Sequence, residues 1–508
     1  MGSRRQQFRK TGFVHGQVNM RKYILIFAAC MLAACSCDGN TDTPGTNPRN
    51  QETGPHATVY TTTLAGKRMA ESTISLGKPE DVHSYIAELT GEVFQEIDGF
   101  GFAITHATCY NLLLMREEDR QAFLEEVFSR EKGIGSSLIR VCIGGSDFSM
   151  DEYTWCDTPG IENFAVHPLE QEWFFPIMDQ IMKINPSVKI IGSPWSCPRW
   201  MKVADDMKSA YSAWTGGRLN PKYYADYATY FVKWIQEMEK RGYPVYAVTL
   251  QNEPLNRGNS MSLYMSWQEQ RDFIKQAVGP AFEKAGLKTK ILLFDHNYNY
   301  DNISDQKDYP VRIMEDADAA KYVAGSAWHN YGGNVNILDG VHSKFPDKDI
   351  YFTEASIGTW NYTFDGCLIN DFRDIFLGTM SRFGKGVTLW NMMLDSEGKP
   401  YRPGGCSTCF GAVTIAASDH SLKGITRNSH YYDVAHCSKV LLPGAVRLGK
   451  KGYTPDNVSY EWFRNPDGSY AVLVLNQGSD AILNLVTEKS SVACKLPAKS
   501  ILSIIWKE

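Results

Sequence analysis

The clearest pattern in this 508-residue chain is a series of short apolar runs separated by longer stretches with helical spacing. Between residue 97 and about residue 395 the runs read IDGFGFAIT, SSLIRVCIGG, VKIIGSPWS, YAVTLQNEP, KILLFDHN, YVAGSAWHN, DIYFTEAS and GVTLWNMM. Each is strand-length and ends in polar or turn-forming residues. In PKYYADYATYFVKWIQEMEKRG, by contrast, Tyr223, Tyr227, Tyr230, Phe231 and Trp234 share one helical face, and Gly242 supplies a stop. Eight strands alternating with helices over roughly 300 residues predict an α/β fold, a (β/α)8 barrel over 96–405. An open doubly wound sheet is the competing arrangement. It is usually marked by G-x-G-x-x-G after its first strand, and DGFGFAIT has the wrong spacing.

Both ends of the chain change pattern. Residues 57–95 are rich in Thr and Val, broken by turn residues, and predict short antiparallel strands. From 406 to 508 the helical spacing is lost. YEWFRNPDGSYAVLVLNQGSDAILNLV alternates apolar and polar residues around Pro-Asp-Gly and Gly-Ser turns, which predicts a β-sandwich. The N-terminal strands are too few for a core of their own, so the sandwich is expected to draw on both termini. Further upstream, Met20-Arg21-Lys22 precedes the apolar run YILIFAACMLAAC, which has the length of a signal-peptide core rather than a membrane span. It closes on Leu32-Ala33-Ala34-Cys35, which resembles a bacterial lipoprotein box, with Cys35 the lipidated residue and Met20 the true start; an uncleaved anchor is the alternative. Residues 36–56 then form a flexible tether. The expected location is the bacterial cell envelope, with membrane contact only through this anchor.

Composition narrows the function. Hydrophobic residues make up 43% and charged residues 21%, as in an ordinary globular protein. Lys and Arg number 52 against 57 Asp and Glu, so no basic surface for nucleic acid is expected. The 12 Trp and 26 Tyr suit a carbohydrate cleft, although large cores use them equally. Of the 12 Cys, only Cys406-Ser-Thr-Cys409 has a suggestive spacing, open to a local disulfide, free thiols or, without a second ligand pair, a weak zinc site.

Catalytic residues of β/α barrels sit at the C-terminal strand ends. Here those ends carry Trp195 on the third run, Asn252-Glu253-Pro254 on the fourth, His329 and Tyr331 on the sixth, Glu354 on the seventh, and Trp390-Asn391 on the eighth. One glutamate at a strand end is usually a cap or a surface charge. Two facing each other across a barrel mouth are the minimum set for cleaving a glycosidic bond, one protonating the leaving oxygen and the other attacking the anomeric carbon. Asn252 can offer its amide to a sugar hydroxyl, and Pro254 stiffens the turn after Glu253. Trp195, Trp390 and His329 taken singly have structural explanations too.

Eight collinear segments carry a resemblance. IDGFGFAITHATCYNLL, GIGSSLIRVCIGGSDFSMDEYTWCDTPG, IIGSPWSCPRWMK, YAVTLQNEPLN, AWHNYGG, IYFTEAS, LWNMMLD and SHYYDVAHCSKVLLPGAVRLG resemble family 30 of the glycoside hydrolases, which includes lysosomal glucosylceramidase and microbial β-1,6-glucanases. The resemblance implies a barrel with a side β-sandwich and hydrolysis that retains anomeric configuration, with Glu253 as acid/base and Glu354 as nucleophile. It implies sugar contacts from Trp195, Asn252, His329, Tyr331, Trp390 and Asn391, and it places Arg140 behind the nucleophile. It also puts His106 where the glucosylceramidase pattern has an Asp that binds remote hydroxyls. A His can hydrogen-bond a hydroxyl but is no anionic acceptor, so the expected substrate is a β-1,6-glucan or other β-glucoside. Another sugar in the same chemistry, a β-xyloside or β-fucoside, and a non-catalytic glycan-binding lipoprotein remain the alternatives. The mechanism needs no metal or cofactor. RPGGCSTCFG is expected either to wall the cleft or simply to lead into the sandwich.

Overall fold

The computed structural model describes residues 54–205, 211–299 and 303–508. Cys35, the signal-like segment and most of the tether lie outside the described residues. Among the described residues no helix is long and apolar enough to cross a membrane.

The eight apolar runs are the eight strands of a closed barrel. In chain order they are Gly99–Ile104, Leu138–Cys142, Lys189–Ser193, Val245–Thr249, Lys290–Asn297, Gly325–His329, Asp349–Glu354 and Gly384–Leu389. Each pairs in parallel with its sequence neighbours and the eighth pairs with the first. The bore is filled by Leu138, Ile191, Ala247, Leu292, Ala327 and Tyr351, all 0% exposed. At its N-terminal end Asp98 accepts hydrogen bonds from Lys189, Tyr351 and Tyr246, closing the bottom with a charged network. The aromatic helix before the fourth strand runs Tyr224–Lys240 and buries Tyr227, Tyr230, Phe231 and Trp234. It stops at Gly242, whose φ of 84° favours glycine.

Outside the barrel, nine strands drawn from both termini form one sheet. His56–Thr63 pairs with Ser500–Trp506, and Ile86–Ile97 lies between Ala445–Gly452 and Ala481–Val486. The sheet folds over until its two ends meet, where Gly77 and Ser491 exchange backbone hydrogen bonds of 2.8 and 2.9 Å. Ile86–Ile97 runs straight into the first barrel strand, joining the two bodies.

The expected boundary at 406 is not where the sandwich begins. Residues 406–444 stay with the barrel: short strands Cys409–Phe410, Val413–Ile415 and Ile425–Arg427 pack at its top, followed by a helix, Ser429–Val440. That helix was not expected because its buried positions include His430, Asp433, His436 and Ser438 beside apolar residues, which erases the amphipathic signal. The sandwich proper starts at Ala445.

Candidate active site

Because all barrel strands are parallel, their C-terminal ends open on one face. Glu354 is the last residue of the seventh strand, and Glu253 follows the fourth. An oxygen of each carboxylate and a ring nitrogen of His329 lie within 4.8 Å of one another. The backbone at Glu253 has a φ of 44°, in the left-handed region, a conformation that costs of order 1–3 kcal/mol for such residues. It is held there by its N–H, which donates to the Asp295 carbonyl at 2.9 Å.

Each carboxylate has its own partners. Glu354 accepts Arg140 Nη1 at 2.6 Å and the Tyr331 hydroxyl at 3.1 Å. Glu253 accepts the side-chain amides of Asn256 and Asn259 at 2.8 and 2.9 Å, and faces His329 Nδ1 at 3.2 Å. Beneath both lies Arg140, 0% exposed. Its guanidinium also donates to Asp295 at 2.7 Å, Asn252 Oδ1 at 2.7 Å and Ser193 at 3.1 Å. Asp295 reaches this position through a local break in the fifth strand. Phe294 and Asp295 both have positive φ, 72° and 61°, and the pairing register shifts between Phe294 and His296. The bulge aims Asp295 at the Ser193, Thr249 and Thr353 hydroxyls and at His329 Nε2, 3.0 Å away.

The charges follow from this geometry. Both nitrogens of His329 face carboxylate oxygens, so both must carry hydrogen. Burial opposes the charged ring, but Glu354, Asp295 and Glu253 together raise its pKa to about 9. An imidazolium has no lone pair, so the Glu253–His329–Glu354 trio does not offer a metal a nitrogen ligand in this state. Asp295 is held well below the usual carboxylate range: burial raises it, and Arg140, His329 and Thr353 outweigh that. Glu253 is lowered to about 2, its burial outweighed by His296, His329 and Asn256. His296 itself is held down to about 4 by burial, so it is neutral above that pH and helps Glu253 only in acid. Glu354 is raised by burial and by Glu253 and Asp295, against the pull of His329 and Arg140.

The carboxylates open into a cavity of about 540 Å³. Trp390 forms part of its lining, Asp147, Tyr331 and Trp360 add polar and aromatic edges, and Cys406 and Cys409 complete a wall. Tyr331 and Trp360 are about half exposed, at 47% and 50%. The TIM-barrel model of glycosyl hydrolase family 30 matches residues 97–441, and the β-sandwich model of the same family matches residues 444–504. The chain belongs to glycosyl hydrolase family 30.

Similarity to individual family 30 proteins runs along nearly the whole described chain. An endo-1,6-β-D-glucanase of Trichoderma harzianum is 34% identical over 416 residues, 77% of this chain and 80% of that protein. The lysosomal acid glucosylceramidase of Mus musculus is 27% identical, covering 88% of both chains. A solved structure, the endo-β1,6-glucanase BT3312, superposes with a TM-score of 0.86 at 50% identity, covering 89% of this chain and all of that one. The protein is a glycoside hydrolase.

Of the residues expected at the family 30 site, Glu253, Glu354, Tyr331 and Trp390 line the cavity. Arg140, Asn252, His329, Asn391 and Trp195 pack beneath it, each at most 3% exposed. Trp195 stacks on Trp390 with ring centres 4.9 Å apart, and Arg140 lies 5.0 Å over the Trp195 ring. Asn391 Oδ1 accepts the Thr105 hydroxyl.

His106 stands apart from the cavity lining. It is 5% exposed and sits between Tyr153, whose hydroxyl is 3.0 Å from Nε2, and Glu170, 3.5 Å away; Glu170 also accepts Tyr153 and the Trp155 indole. These partners hold it in the packing behind the first strand, outside the cavity lining. A further carboxyl group, Asp147, lines the cavity and has one oxygen without a protein partner among the described residues. Burial and the charges of Glu354 and Glu253 push it well above the usual carboxylate range. Asp147, Asp295, His296, Asn256, Asn259 and Trp360 went unnoticed in the sequence. For Asp295 a signal existed: a carboxylate inside the apolar run KILLFDHN demands a buried cation, and Arg140, in the second run, is the one arginine within the eight runs. The Cys406–Cys409 alternatives resolve to a disulfide.

Proposed function

We propose that this glycoside hydrolase cleaves β-1,6-linked glucan with retention of configuration. The observation that carries the chemistry is the buried Glu253–Glu354 pair with oxygens within 4.8 Å. That separation suits direct attack and leaves no room for a water between carboxylate and sugar, as inversion would need. The choice of linkage rests on the similarity to endo-β1,6-glucanases, including one 50% identical.

In this mechanism Glu354 attacks the anomeric carbon while Glu253 donates its proton to the departing glycosidic oxygen. Arg140 and Tyr331 hold the two Glu354 oxygens in place, so the attacking lone pair is fixed in direction. The pair titrates as a unit: the proton favoured on the Glu354 side of the free pocket must reside on Glu253 when the bond breaks. Forming the glycosyl ester removes the negative charge of Glu354. That lowers the proton affinity of Glu253, which then takes a proton from water as it attacks C1 and frees Glu354. His329 positions Glu253 and lends its charge, and Asp147 accepts a hydroxyl of the bound sugar.

The test is product analysis on β-1,6-glucan, β-1,3-glucan and glucosylceramide. New reducing ends from the β-1,6-glucan alone, first seen as the β-anomer by proton NMR, support the reading. Cleavage of glucosylceramide without glucan, or a first-formed α-anomer, overturns it. For location, we propose lipid attachment at Cys35, supported by the charged, apolar and Leu-Ala-Ala-Cys succession. Replacing Cys35→Ser should move the protein from the membrane fraction to the soluble one.

A further inference from the structure

Among the described residues one disulfide is formed, Cys406–Cys409, while seven other cysteines are free. It lies in the wall of the catalytic cavity. Cys409 opens the strand Cys409–Phe410, which pairs with Ile357–Gly358, and the Thr359 N–H donates to the Thr408 carbonyl at 2.9 Å. Ile357–Gly358 begins three residues after Glu354 and leads directly to Trp360. The Trp360 ring lies on the bare backbone of Gly358, where a Cβ would come within 2.0 Å of the indole. At its other end the same loop is tied to Asp147: Arg402 N–H donates to the Asp147 carbonyl at 2.7 Å, and a Cβ on Gly405 would come within 2.9 Å of that oxygen. Residues 402–410 therefore strap together the two loops that carry Asp147 and Trp360, and the disulfide closes the turn between those anchors.

We propose that the Cys406–Cys409 disulfide is a specificity-determining lock. It holds the Trp360 wall at a fixed distance from Asp147, and so sets the fit of a glucan unit outside the reacting position. The identity of that ligand rests on the β-1,6-glucanase reading; the strap itself does not. Cys406 is partly exposed and Ser407 and Thr408 are exposed, so a small dithiol can reach the bond. One thiolate of the dithiol attacks a sulfur and releases the other cysteine as a thiol. The second reagent thiolate then displaces the first cysteine and leaves as a cyclic disulfide. Two electrons and two protons have entered the protein, and only the 406–409 closure is lost. Cys406 and Cys409 act through Trp360 and are positioning residues.

The wild-type protein and a Cys406→Ser/Cys409→Ser variant are assayed with and without dithiothreitol, reduction being verified by alkylation and mass spectrometry at both cysteines. On soluble β-1,6-glucan, reduction of wild type should raise KM roughly 3- to 10-fold, the scale of leaving one aromatic side chain to be ordered by the ligand, with a smaller change in kcat. The double variant should show the raised KM with or without the dithiol. Trp360→Ala should raise KM similarly in the oxidised protein, and reduction should then add little. Hydrogen exchange over 356–362 should quicken on reduction whatever the substrate. Verified reduction that leaves both KM and this exchange unchanged overturns the proposal, as does an additive effect with Trp360→Ala. If wild type cleaves no β-1,6-glucan, the glucanase reading fails and the exchange measurement alone decides the strap.

Discussion

His329 has both ring nitrogens committed to carboxylates, Glu253 at 3.2 Å and Asp295 at 3.0 Å, and is 0% exposed. The imidazolium is therefore part of the folded state. Its pKa is raised from 6.5 to about 9. Because the folded value exceeds the unfolded one, the stabilisation is fully present below pH 6.5 and is lost as pH rises through about 9. At about 1.4 kcal/mol per pH unit, the whole contribution is about 3 kcal/mol, of which about 2 kcal/mol is lost between pH 6.5 and 8. That window ends at the midpoint of Lys202, held down to about 8 by burial, whose titration acts with the opposite sign. Chemical denaturation of wild type and His329→Gln at pH 6.5 and 8 isolates the term, since other groups cancel between the two proteins. Wild type should lose about 2 kcal/mol more than the variant over this range. An equal pH response of the two proteins, or an imidazole NMR titration with its midpoint at or below 6.5, would refute the charged-ring argument.

Replacing Glu354→Gln should lower hydrolysis of an aryl β-glucoside by about 10³-fold or more while glucan still binds, measured by initial rates and calorimetry; retained hydrolysis removes it as the nucleophile. Glu253→Ala should depress glucan cleavage far more than cleavage of a dinitrophenyl glucoside, whose leaving group needs no proton; equal losses would deny it the acid role. His106→Ala should cost about 1–3 kcal/mol of stability, by stranding Glu170 and Tyr153, with little change in KM. Asp147→Asn should instead raise KM with a small stability effect, and the reverse pattern would restore His106 to the sugar site.

Barrel strands are covered on both faces, so they read as apolar runs whatever their neighbours, and all eight were legible from Gly99 to Leu389. Their polar ends were legible too, because a side chain beyond the last buried residue of a parallel strand can only open on the catalytic face. Strand direction alone therefore brings Glu253 and Glu354 to one end of the barrel. The helix Ser429–Val440 was not legible: His436 finds Ser503 and Thr62 from the distant sandwich, and His430 finds Asp371, so these two histidines are buried by partners remote in sequence.

Local sequence, then, determined which segments become strands, which residues end them and which two carboxylates meet, since all of this follows from periodicity and strand direction. Tertiary structure alone decided what each polar residue touches. The bulge at Phe294–Asp295 turned an unremarked aspartate into the counterion of Arg140, and the start of the first helix set His106 against Tyr153 and Glu170. The strap at 402–410 brought Asp147, Trp360 and a disulfide to the cavity from three separate loops. These outcomes depend on distances of a few ångströms between residues tens to hundreds of positions apart, a quantity that no local pattern of hydrophobic and polar positions encodes.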